Sequence, residues 1–229
     1  MLDHDFPSWA VERAIPYGIS DLAFDDGLVV VGMSHETPSF AVAAIRRWWS
    51  EIGRRRSSEK KRLLIEADGG GANGARKWAW KVGLHGLADE FGWIITVTHS
   101  PPGASQGNPI DHRMVSLINA NWSGEPLVSS ETILGSIRRT RSCEGFHCRA
   151  RLDTTDDPAG FKVTPGAKAQ VRLRPRPVLP HWNYTLWPHD EPAKCRSYRF
   201  TPAKRCVVGS QLAISAQYEA NLIFFYYYI

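Results

Sequence analysis

The stretch that decides the fold runs from Leu63 to Gly74 and reads "LLIEADGGGANG". Its apolar half is typical of a buried strand, and Asp68 stands where that strand would end and three glycines begin. Ligands of α/β sheets bind in the crevice outside the carboxyl ends of the strands. Two interpretations follow: the glycines form a phosphate cradle, or they leave space around the Asp68 carboxylate.

The phosphate cradle is tested by its spacing. Gly69, Gly71 and Gly74 fit the dinucleotide pattern GxGxxG, and Asp89 lies near the offset of about 20 residues that its acidic partner requires. A Walker loop is absent from the sequence, because no Lys-Ser or Lys-Thr pair follows Gly74. A nucleotide enzyme therefore stays as the last-ranked interpretation, and the rest of the chain is needed to decide between the two.

The composition describes an ordinary globular chain with a basic balance. Its 229 residues are 43% hydrophobic and 22% charged, which is enough for one domain and an appendage. The net charge of +5 favours a polyanionic partner such as nucleic acid. The longest apolar run, "LIFFYYYI", is far shorter than the about 20 residues that span a bilayer. With neither a signal-peptide pattern nor CxxC spacing, we predict a cytoplasmic protein without a membrane partner.

Strand and helix signals alternate along the chain. The runs "IPYGISDL" and "GLVVVGM" predict an antiparallel hairpin, and Thr37 and Pro38 predict the start of a helix that ends before Gly53. The strand at residues 63–68, a helix closed by Gly92, the strand "WIITVTH" and a helix starting at Asn108 follow. From Pro188 onward neither periodicity nor caps are visible. This order predicts an α/β fold with a mixed sheet.

Six stretches, taken together and in order, resemble a known family. They are "HDFPSWAVERAIPYGISDL", "SFAVAAIRRWW", "LLIEADGGGANG", "ITVTHSPPGASQGNPIDHR", "ARLDTTDDPAGFKV" and "HWNYT". They resemble the Rhodopirellula-type DDE domain, an insertion-sequence transposase family, over about residues 3–187.

The resemblance implies a ribonuclease-H-like mixed sheet with flanking helices and a DNA partner. It also implies two divalent ions, Mg²⁺ or Mn²⁺, held by three carboxylates. Asp68 and Asp111 match the second and third carboxylates, and thus become the expected catalytic and metal-binding residues. His112 and Arg113 follow Asp111 as in the family and are candidate DNA contacts. The glycines are then expected to let DNA and metal approach Asp68.

Two departures from the family pattern shape the functional expectation. The first carboxylate of the family sits on an opening strand upstream of "HDFP", and this chain has only two residues before that motif. We therefore expect that the opening strand and its acid are missing, with Asp21 the nearest acid in type, and that β-edges left unpaired promote self-association. The second departure is Asp111, which stands where the family has a glutamate.

The expected organisation is an incomplete DDE domain over residues 1–187 and an unrelated, frame-shifted tail over residues 188–229. We expect a transposase fragment that does not cut DNA as this chain; the alternative is a non-catalytic DNA-binding remnant. Phosphate contacts are expected from one basic cluster, which comprises Arg54, Arg55, Arg56, Lys60, Lys61 and Arg62.

Overall fold

The computed structural model describes residues 14–67, 69–100, 114–122, 129–143, 145–190 and 221–226. Within them, eight strands form one mixed sheet with helices packed on both faces. The predicted α/β class with a mixed sheet is confirmed. No helix in these ranges combines the length and the apolar character that crossing a membrane requires.

The strands are β1 (Ile15–Asp21), β2 (Asp26–Gly32), β3 (Arg62–Ala67), β4 (Ile94–His99), β5 (His147–Asp153), β6 (Leu173–Pro175), β7 (Tyr184–Leu186) and β8 (Asn221–Tyr226). The helices are α1 (Pro38–Trp48), α2 (Arg54–Ser57), α3 (Trp78–Phe91), α4 (Ser116–Trp122), α5 (Ser130–Arg138) and α6 (Pro165–Gln170). The strand order across the sheet is β5-β2-β1-β8-β3-β4-β7-β6.

The predicted hairpin is confirmed as β1 and β2, which pair antiparallel from Ile15 opposite Gly32 to Asp21 opposite Asp26. Every residue of β2 is buried, because β1 and β5 flank it and helices cover both faces. Such a strand shows a continuous apolar run, as "GLVVVG" does, rather than an alternating one.

Helix α1 begins as its sequence predicts. The Thr37 side chain accepts a hydrogen bond from the Phe40 amide at 3.1 Å, and Pro38 occupies the first turn. The helix does not end before Gly53, because a π-helical turn over Trp49–Gly53 carries it into α2. A β-carbon at Gly53 would lie 2.6 Å from the Trp49 ring, so this turn needs glycine.

Helix α3 ends at Gly92, whose φ of 64° is the left-handed conformation predicted for a glycine C-cap. It packs closely against α1, since a β-carbon at Gly83 would lie 2.6 Å from a methyl group of Val42. This contact ties α3, which follows the glycine run, to the helix that covers the β1–β2 hairpin.

Strand β8 is the main difference from the sequence-based expectation, because no element was predicted after Pro188. It lies at the centre of the sheet, antiparallel to β1 and parallel to β3, with Ile223 opposite both Asp21 and Ile65. The run "NLIFFY" has strand-forming residues without alternation, so no period marks it. The edges of β1 and β3 that we expected to find unpaired are both paired by β8.

Candidate nucleic-acid interface and metal site

A cleft of about 950 Å³ opens beside the glycine run, where the parallel strands β3 and β4 end. Its lining comes from the glycine run, the start of α3 and the segment that contains β6 and β7, namely Gly69, Gly70, Gly71, Gly74, Ala75, Arg76, Lys77, Trp78, Lys81, Leu173, Pro175, Pro180, His181, Trp182 and Tyr184. The carboxyl ends of parallel strands are where α/β sheets bind ligands.

Two of the glycines show different features of the run. Gly71 has a φ of 57°, a conformation that side chains rarely adopt. A β-carbon at Gly70 would meet no protein atom within 4 Å, and Gly70 lines the cleft. The backbone at this position is therefore open to a ligand, which favours the interpretation that the glycines make room.

The dinucleotide interpretation is wrong. Its acidic partner is required near a ribose, but Asp89 lies on the exposed surface of α3 and accepts hydrogen bonds from the backbone and ring of His189. The helix also begins at Trp78, four residues beyond Gly74, with Lys77 as an N-cap that makes no side-chain capping bond.

Basic and aromatic side chains alternate at the mouth of the cleft. Lys81 Nζ lies 5.1 Å from the ring centroids of both Trp78 and Tyr184, and Lys168 Nζ lies 5.7 Å from that of Trp78. Burial lowers the pKa of Lys81. Trp78 remains 37% exposed, so its ring is available to a ligand. Cations beside an exposed indole are the combination that binds phosphates and stacks bases.

His99, the last residue of β4, joins the two walls of the cleft. Its Nε2 lies 2.9 Å from the Asn73 carbonyl oxygen of the glycine wall, and its Nδ1 contacts the Trp182 carbonyl oxygen of the opposite wall. Burial lowers the pKa of His99, against the two carbonyl contacts, which raise it. A neutral imidazole has one N–H, so it donates to one of these carbonyls at a time.

Two polar side chains near this end of β3 are of the types that bind a hard divalent cation. Both side-chain polar atoms of Asn73 are fully buried and have no hydrogen-bond partner among the described residues. Burial raises the pKa of Glu66, although Ser100 Oγ donates to its Oε1 at 3.2 Å and opposes that shift. Carboxylate and amide oxygens are the ligands that Mg²⁺ and Mn²⁺ prefer.

Asp68 and Asp111, expected to bind the metal, lie outside the described residues, as do His112 and Arg113, expected to contact DNA. Their assignment therefore stays a prediction.

The predicted basic cluster lies at the other end of β3. Residues 54–61 precede the strand and the cleft follows it, so about six residues, or roughly 17 Å, separate the two. Arg54 and Arg55 are exposed, whereas Arg56 pairs with Asp26 at 2.6 Å and stacks over the Phe24 ring. The cluster and the cleft are thus two separate basic surfaces.

Asp21 does not lie at the end of β3 where the cleft opens. It lies two strands away from β3, opposite Ile65 rather than at the end of the strand. Ile19, two residues earlier, packs in the core beneath α1 and α3, whereas Leu64 packs against the opposite core. Because side chains alternate along a strand, Asp21 shares the side of Ile19 and not that of Leu64 and Glu66.

Sequence reasoning missed the cationic side of the cleft. We interpreted "RKWAWKVG" only as the start of an amphipathic helix, and its alternation of basic and aromatic residues directly after the glycines was the available signal. The residues contributed by β7 and its preceding loop carry no such signal, because they are about 100 positions away in sequence.

One of three comparisons with known proteins gives a match. Neither the curated proteins nor the solved structures contain a match to this chain. A family model described as the Rhodopirellula transposase DDE domain matches residues 1–188, which is most of the 229 residues. The chain therefore belongs to the Rhodopirellula transposase DDE domain family.

Proposed function

We propose that this chain is a DNA transposase catalytic-domain fragment that binds DNA in the cleft and does not cut it. Membership of the family implies a function in transposition and DNA as the partner. The observation that carries the proposal is the cleft, which combines an open glycine backbone, cations and an exposed indole at the carboxyl ends of β3 and β4.

The proposed fold is ribonuclease-H-like, with β8 in the place of the family's opening strand. The support is the position of β8, which lies beside the hairpin strand β1 and runs parallel to β3. We further propose that residues 1–187 are the incomplete DDE domain and that the unrelated segment 188–229 contributes β8 to its sheet.

The proposed DNA contacts begin at the start of α3. Arg76 and Lys77 are exposed and precede the helix, whose first amide groups and dipole attract anions. Lys81 lies one turn further into the cleft. A phosphate held here would leave the adjacent base beside the exposed Trp78 ring. The basic cluster at residues 54–62 is proposed as a second phosphate contact, and His112 and Arg113 as contacts beside Asp111.

Asp68 and Asp111 are the proposed holders of a divalent ion, and Glu66 is the described carboxylate nearest to Asp68 in the chain. When bound, a pair of such ions stabilises the attacking and leaving oxygens of a phosphodiester. His99 fixes the position of the glycine wall through the Asn73 carbonyl. Burial lowers the pKa of this imidazole.

We propose that the chain does not cut DNA because of the residues that make up β8. The six residues of this strand, "NLIFFY", include no carboxylate, and Asp21 belongs to the opposite side of the sheet. The chain thus offers two of the three acids that the family uses. A DNA-binding remnant is the second candidate function, and the same observation favours it.

A salt-titration of DNA binding tests the interface. Labelled duplex and single-stranded DNA are titrated by fluorescence anisotropy with Arg76→Ala/Lys77→Ala, with Arg54→Ala/Arg55→Ala, and with the charge-matched control Arg141→Ala/Lys162→Ala. We expect the first two pairs each to reduce the slope of log affinity against log salt by up to about 2, and the control to leave it unchanged.

The experiment tests the cleft and the basic cluster independently as DNA contacts. A cleft variant with the slope of the unaltered chain contradicts the cleft as the DNA interface, and the same result for the Arg54/Arg55 variant removes the second contact. Arg56 is left in place because its loss would also break the ion pair with Asp26.

A further inference from the structure

The C-terminal half of α3 carries a second cluster of metal-ligating side chains, away from the cleft. His85 and Asp89 are four residues apart and therefore lie on one face of the helix, and His189 follows β7 in the chain. Within the described residues, this is the one group of three such side chains with converging ligand atoms.

The distances suit a single small ion. Asp89 Oδ2 lies 2.9 Å from His189 Nδ1 and 3.6 Å from His85 Nδ1, and the three ligand atoms all lie within 4.8 Å of one another. Tetrahedral ligands at about 2.0–2.1 Å from Zn²⁺ are about 3.4 Å apart. The side chain of His189 is 51% exposed, so it can rotate by the small amount needed to bring its Nδ1 to this spacing.

Neighbouring groups hold the ligands in place. The backbone amide of His189 donates to Asp89 Oδ1 at 2.7 Å, which leaves Oδ2 to face the two rings. Arg172 donates to the carbonyl oxygens of Pro188 at 2.6 Å and His189 at 3.0 Å, so the segment that carries His189 is fixed. Hydrogen bonds of this kind orient metal ligands in known sites.

The two imidazoles lie against one carboxylate. Burial lowers the pKa of His85, although Asp89 opposes the shift. Burial raises the pKa of Asp89, but the hydrogen bonds from His189 outweigh it and keep the group a carboxylate. The two rings stand edge to face with centroids 4.6 Å apart.

We propose that His85, Asp89 and His189 bind one divalent transition-metal ion of the Zn²⁺ class and thereby fasten the segment after β7 to α3. Two imidazole nitrogens and one carboxylate select Zn²⁺ over Mg²⁺, because Mg²⁺ prefers oxygen ligands. The fourth coordination position is left for water. His189 lies just beyond the family match at residues 1–188, and the proposal is independent of DNA binding or cutting.

Direct titration tests the site. The full chain, prepared without a histidine tag and freed of metal, is titrated with Zn²⁺ by calorimetry and with Co²⁺ by visible absorption. We expect a saturable site with a tetrahedral Co²⁺ spectrum that millimolar Mg²⁺ does not displace. Asp89→Asn and His189→Ala should each weaken binding by at least about tenfold. Both positions are exposed, so the variants should fold.

Matched controls separate this site from others. Glu90→Gln removes the neighbouring helix carboxylate, His181→Ala removes an exposed histidine of the cleft, and Asp68→Asn alters the proposed catalytic site; all three should keep the affinity for Zn²⁺. The proposal is overturned if the unaltered chain shows no saturable binding at micromolar Zn²⁺. Equal affinity of Asp89→Asn and His189→Ala with the controls overturns it as well.

Discussion

At the scale of single residues, two buried aspartates face each other across the first hairpin, and their negative charges are compensated to different extents. Asp26 forms ion pairs with Arg56 at 2.6 Å and with Arg149 at 3.1 Å. Asp21, opposite it in register, has no ion pair of this kind: it accepts a hydrogen bond from the Ala23 amide, and its Oδ2 is buried without a hydrogen-bond partner among the described residues. Burial therefore raises the pKa of Asp21 to about 6, against the smaller effects of Ala23 and Arg56.

We predict that Asp21→Asn stabilises the protein above pH 6. The folded-state pKa lies above the unfolded value of 3.8, so the folded chain binds more protons between about pH 4 and 6 and loses stability as the pH rises through that window. The charge costs about 3 kcal/mol at most at pH 7. Urea unfolding at pH 5 and 7.5 should show a gain of about 1–3 kcal/mol at the higher pH and less at the lower.

Glu59→Gln is the control for this prediction, because Glu59 is an exposed carboxylate near the same end of the sheet. It should change stability little at either pH. A loss of stability in Asp21→Asn at pH 7.5 would show that the Asp21 carboxylate is needed in its charged form.

At the scale of elements, β8 is the strand on which the sheet depends. Among the described strands it alone joins β1 to β3, so it connects the block β5-β2-β1 to the block β3-β4-β7-β6. The contact of α1 with α3 through Gly83 joins the same blocks on one face.

We predict that Ile223→Pro destabilises the protein by about 3 kcal/mol or more, because proline removes a ladder hydrogen bond and fits poorly in a central strand. Ile223→Val, which keeps the β-branched side chain and the amide, is the matched control. Thermal unfolding and size-exclusion chromatography measure the difference, and exposed strand edges should also make the proline variant self-associate. Equal melting temperatures of the two variants would mean that β8 is dispensable for folding.

Local signals account for what the sequence could predict of these elements. The Thr37 cap, the Gly92 stop and the run of β2 depend on residues close in the chain, and all three predictions hold. The position of β8 depends on partners about 150 to 200 residues away. The same reason hides the cleft wall around Trp182 and the cluster of His85 with His189, since folding alone brings these segments together.

At the scale of the whole molecule, function depends on how many carboxylates the fold gathers. We predict that the purified chain shows no metal-dependent nicking or strand transfer in Mg²⁺ or Mn²⁺ on DNA that carries candidate element ends. Two acids, Asp68 and Asp111, hold at most one ion well, and one ion cannot stabilise both the attacking and the leaving oxygen. DNA binding should persist under the same conditions, which excludes unfolding as the cause.

Asp68→Ala is the comparison for this assay. If the unaltered chain cuts DNA and Asp68→Ala does not, the chain has a third carboxylate. Glu66 would then be the first residue to replace, since it is a carboxylate of β3 with a raised pKa and lies two residues before Asp68 in the chain.

Because β8 is central and is the last of the described strands in the chain, the sheet can be completed only after the other described strands have been made. Gly18 and its β8 partner Tyr226 are 208 positions apart (226 minus 18), which gives the sheet a high contact order. A ribosome adding about 5–20 residues per second makes β1 roughly 10–40 seconds before β8. During that interval the nascent chain presents two open strand edges to every other chain nearby, so its yield in a cell should depend on chaperones and on slow expression at low temperature.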